Sequence, residues 1–74
     1  MSISKAKATY IINQLEKIGV KEKSQVKAIA ILICDENIMT CQRLKAKFNN
    51  GAILDKISYE IQGIEWTKDF IRKM

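Results

Sequence analysis

Residues 28–34 read AIAILIC, seven apolar side chains in succession between a lysine-rich stretch at 21–27 and the polar triplet Asp35-Glu36-Asn37. Such a run must leave water, so it predicts the buried centre of a small folded domain. Periodicity alone does not separate a buried strand from a buried helix over this length. No Asn-Gly or Gly-Gly turn joins the run to an alternating neighbour, and neither flank supplies a partner strand, so we read it as a central helix.

Elsewhere, apolar residues recur at spacings of three and four. Ala8, Ile11, Leu15 and Ile18 form one stripe that closes at Gly19, where a left-handed residue followed by apolar Val20 would make a helix C-cap. A second helix is expected from about Glu22 to Cys34, with Ser24 as an alternative N-cap. Asp35-Glu36-Asn37 reads as a connector into a third helix bearing Ile38, Cys41, Leu44 and Phe48, which Asn49-Asn50-Gly51 ends. A fourth helix carries Ile53, Leu54, Ile57 and Ile61 as far as Gly63, and a last one carries Trp66, Phe70, Ile71 and Met74. Short connectors make neighbours antiparallel or steeply crossed. The expectation is therefore all-α: a single helical domain over residues 1–74, a compact bundle of four to five short helices.

A chain of 74 residues buries only roughly 60% of the surface that its unfolded form exposes, so a homodimer would add stability. Apolar content of 47% with 28% charged residues belongs to a folded globular protein. The N-terminus has no apolar leader core, and the longest apolar run is far too short to span a bilayer, so a cytoplasmic protein with no membrane partner is expected.

The chemistry available is sparse. Histidine is absent, which removes the commonest acid–base catalyst, and the carboxylates are scattered among counter-charges. No glycine-rich phosphate loop occurs. Asn49-Asn50-Gly51 is the one loop where free amides and a helix N-terminus could meet an anion, and it reads as a capping turn. Cys34 and Cys41 form no CxxC pair, and the two further ligands of a zinc site are missing. We therefore expect no enzyme activity, no cofactor and no metal.

Thirteen Lys and Arg against eight acids leave a formal charge of +5. A polyanion is the first partner to consider. Lys23, Lys27, Gln42, Arg43, Lys45 and Lys47 are the candidate nucleic-acid contacts, in a transcription or replication regulator. Residues 26–48 could then form a helix-turn-helix whose second helix presents Gln42 and Arg43 to base edges. The alternative is a protein-binding modulator, of the kind a virus or mobile element encodes, that acts through Trp66, Phe70 and Met74. That terminal helix either closes the core or, with Trp66 exposed, anchors a partner. A third reading lays the same helix on a membrane surface, flanked by Lys68, Arg72 and Lys73.

Overall fold

The computed structural model describes residues 3–74; Met1 and Ser2, which open the segment inspected for a leader, lie outside that range. Among the described residues three helices follow one another: α1 (Ile3–Lys17), α2 (Lys23–Lys45) and α3 (Gly51–Lys73). The all-α expectation holds, and the count of four to five helices is corrected to three.

The end of α1 forms as its sequence implies. Gly19 adopts φ 98°, the one positive φ among the described residues, and Val20 N–H donates to the Leu15 carbonyl at 3.0 Å while Gly19 N–H donates to Glu16 at 3.1 Å. This pair of bonds is the Schellman arrangement, and Val20 packs against the core that includes Leu15. At the start of α3, the Asn50 carboxamide oxygen accepts from Ala52 N–H (2.9 Å) and Ile53 N–H (3.2 Å). The asparagine-glycine turn is thus a helix N-cap.

Two expected breaks do not occur. The helix continues through Asp35-Glu36-Asn37, because the stripe Val26, Ala30, Cys34, Ile38, Cys41 keeps its helical spacing across the triplet. Asp35 is held there by an ion pair to Lys68 of α3 at 2.6 Å. Likewise α3 continues through Gly63, since Ile57, Ile64, Thr67 and Ile71 keep one face directed inward. Glycine weakens a helix interior by about 1 kcal/mol without breaking it.

The core is small. Ala8 and Leu15 of α1, Val26, Ala30 and Cys34 of α2, and Ile71 of α3 are the buried apolar residues, and Ile71 and Cys34 are the largest that are fully buried. The apolar run at 28–34 is not enclosed on all sides: Ala30 and Cys34 are buried, but Leu32 is 58% exposed and Ala28 lies in water. A helix spreads seven consecutive residues around its whole circumference. Two neighbouring helices cover only part of that circle.

The lengths of the helices matter most. α1 has 15 residues and the α2–α3 hairpin has 23 in each arm, so α1 covers one end of the hairpin and leaves the loop end without a third layer. The molecule measures 43 × 25 × 18 Å with a radius of gyration of 13.6 Å. A compact domain of this length would have about 11 Å. Its accessible surface is 5472 Å² at 8.5 kDa, whereas size scaling gives about 4,700 Å² for a folded monomer. Roughly 800 Å² of excess surface is left open.

Ile71→Ala should cost about 2–5 kcal/mol in urea unfolding, as a fully buried aliphatic truncation does. Gly63→Ala should instead raise stability by about 0.5–1 kcal/mol, because nothing lies within 4 Å of the added Cβ and the backbone is already helical.

Candidate functional site

The six candidate nucleic-acid contacts all fall on α2 or just beyond it, and the continuous helix separates them. Lys27 and Lys45 stand 18 residues apart, about 27 Å along the axis. Lys23 and Lys27 lie at the end covered by α1, whereas Gln42, Arg43, Lys45 and Lys47 lie at the loop end. Without a turn inside residues 26–45, the helix-turn-helix reading fails on geometry.

Lys27 has a structural task. Its Nζ donates to the Arg72 carbonyl oxygen at 3.0 Å, which places an ammonium against the orphan carbonyls that end α3. The same contact shows that the C-terminus of α3 lies beside the start of α2. Lys17, Lys21, Lys23, Arg72 and Lys73 therefore gather at one end of the molecule, together with Glu16, Glu22 and Asp69. Arg72 is paired with Asp69 at 3.4 Å, and Lys68 with Asp35. Several of the cations that composition assigned to a partner are thus used within the fold.

The partner residues named from sequence share one side of α3. Trp66 is 57% exposed and Met74 is 44% exposed, while Phe70 between them is half-buried against the core. Tyr59, 80% exposed, continues the stripe two turns earlier, and a shallow open groove runs between the α3 side chains Asp55, Ser58, Tyr59, Gln62 and Trp66. The terminal helix closes the core with Ile71 and Thr67 and still leaves Trp66 open. A helix that stops at Gly63 would separate Tyr59 from this stripe, which is why the sequence reading does not include it. The interval of seven from Tyr59 to Trp66 carries the signal once α3 is continuous.

A larger groove of about 700 Å³ opens where α1 begins. Ile3 and Tyr10 from α1, Ile33 and Cys41 from α2, and Glu60 and Ile64 from α3 line it. Its walls are mostly apolar. Cys34 lies at its base and is buried, and Cys41 is half-buried. Burial raises the Cys34 thiol above its ordinary pKa of 9.0, the Asp35 carboxylate adds to that rise, and the Lys68 ammonium opposes it. This is an inert, protonated thiol rather than a nucleophile. No cluster of three or more His, Cys, Asp or Glu side chains that could hold a metal occurs among the described residues. No described helix is long and apolar enough to cross a membrane.

The chain matches no protein-family model, no curated protein and no solved structure.

Two outcomes follow from the titratable groups. Cys34 has a raised folded-state pKa, so the unfolded chain releases its proton first as pH climbs through 9.0. Stability should therefore fall above that pH, and Cys34→Ala should flatten the decline in denaturation curves. Asp35→Ala should cost about 1 kcal/mol at neutral pH, the upper end for such pairs, because it strands a mostly buried Lys68 ammonium.

Proposed function

We propose that this chain is a small, non-enzymatic cytoplasmic protein that binds another protein through the open apolar stripe of α3, acting as a modulator or adaptor. The observation that carries this reading is the exposure of Trp66 and Tyr59 on one continuous helix face, beside a groove. Solvated lysines are ordinary, whereas two large aromatic rings held in water on a rigid helix are the residues that anchor protein interfaces. Asp55 and Gln62 border the groove and supply the polar rim that such anchors usually have.

Nucleic-acid association is the second reading, and the gathering of Lys17, Lys21, Lys23, Arg72 and Lys73 at one end favours it. The contacts would be to phosphates, not to base edges. Affinity would fall steeply with salt.

One pair of experiments separates the two. A photo-crosslinking amino acid at Tyr59 or Trp66 should trap a discrete protein adduct in extracts of the source cells, and an equivalent probe at Lys21 should not. Binding to random-sequence duplex and single-stranded DNA, read by fluorescence anisotropy, should be absent at low salt. Salt-sensitive DNA binding that Lys21→Glu with Lys23→Glu abolishes, together with no adduct from α3, would reverse the order of the readings.

A further inference from the structure

We infer that the open side of the α2–α3 hairpin, from the groove beside α1 to the loop, is the docking face for a second copy of this chain. This face is different from the Trp66 stripe, so the two proposals stand or fall separately.

The face is built by helical spacing. On α2, Ile33 and Cys41 line the groove, and Leu44 continues the same stripe three residues on. On α3, Ile64 and Glu60 line it, and Ile57 and Ile53 continue that stripe toward the loop. Leu44, Phe48 and Ile53 are each about two-fifths exposed, at 42%, 41% and 39%. Leu44 and Ile53 on these two stripes, with Phe48 in the loop between the helices, make up the proposed apolar knob on the part of the hairpin that α1 does not reach.

The groove at the other end is the matching hollow, with Ile3 and Tyr10 on its α1 rim at 77% and 65% exposure. Knob and hollow thus lie on one face, displaced along the hairpin. A two-fold axis between them seats the knob of each copy in the hollow of the other, which is the isologous pairing of closed dimers. The result is a four-helix layer in which each hairpin supplies the cover that the other lacks.

Area points to the same occupant. The molecule as a whole carries roughly 800 Å² more surface than a compact monomer of its mass, enough to supply what each partner gives to a standard protein–protein interface. Charge agrees at the groove, which Glu60 lines. Glu60 has no ion pair among the described residues, and neither do Lys45, Lys47 and Lys56 around the knob. Two-fold docking brings those cations toward the Glu60 of the other copy, while Lys7 stays on the α1 rim.

The test is sedimentation velocity on the full chain from low micromolar to several hundred micromolar, with helix content followed by circular dichroism. The wild type should be a dimer across most of that range. Leu44→Glu with Ile53→Glu should weaken dimerisation by roughly 30-fold or more while helix content is retained, since interface anchors have that weight and both sites accept solvent in the monomer. Tyr10→Glu, on the opposite part of the face, should do the same and serves if the double variant fails to fold. Trp66→Glu should leave the dimer intact. A wild type that stays monomeric at the highest concentration overturns the proposal without touching the α3 stripe. So does a dimer that survives both knob and rim variants but dissociates with Trp66→Glu.

Discussion

The shared core, in which Ala8 and Leu15 of α1 and Val26, Ala30 and Cys34 of α2 are buried with Ile71 of α3, is the contact on which the rest of the structure depends. Both alanines are fully buried, and their small side chains let α1 approach the hairpin until its backbone is near the other two helices. That junction sits at one end of the molecule. It joins α1 to α2 and α3 over 15 residues and supplies nothing to the loop end. Everything unusual about the surface follows: a groove where α1 starts, an uncovered hairpin beyond it, and more accessible surface than size scaling gives for this mass.

Polar groups adjust to the same constraint. Asp35 and Lys68 pair across the α2–α3 seam near the junction, and Lys27 closes the last turn of α3 through the Arg72 carbonyl. These contacts fix the antiparallel register of the two long helices more than they add net stability, because partly exposed ion pairs contribute little. They also change how the net charge should be read. Cations counted from composition as free for a partner are partly spent on holding helix ends. Of the candidate nucleic-acid contacts that remain, Lys23 lies at one end of α2, and Arg43, Lys45 and Lys47 lie at or just beyond the other, and a straight helix keeps the two apart.

Much of this was legible in the residues. The Gly19-Val20 cap, the Asn50 cap and the core positions of Ala8 and Leu15 follow from spacing and turn chemistry. The two expected breaks that do not occur have one cause: an unbroken apolar stripe outweighs polar or glycine punctuation. Asp35-Glu36-Asn37 looks like a connector only until Lys68 is seen beside it, and that partner is 33 residues away in the chain. Gly63 looks like a stop, yet one glycine without proline or a capping partner costs too little to end a helix buried on one face. The apolar run misled in the opposite direction. Its hydrophobicity implies burial, but how much burial is available depends on the number of helices, which no local pattern contains. Trp66 was identified as a possible anchor from residue type alone, and only tertiary packing decides that Ile71, not Trp66, fills the core.

The central claim is that α2 is one rigid helix that spans the molecule, separates its basic groups and carries the uncovered hairpin end. A pulsed electron–electron distance measurement between spin labels at Lys23 and Lys45, introduced through unnatural amino acids so that both cysteines stay native, tests it most directly. A continuous helix predicts a narrow distribution of backbone separation centred near about 33 Å, from 22 residues at the α-helical rise. A broad distribution, or one centred below about 20 Å, would mean that the chain turns at residues 35–37 and would contradict the account.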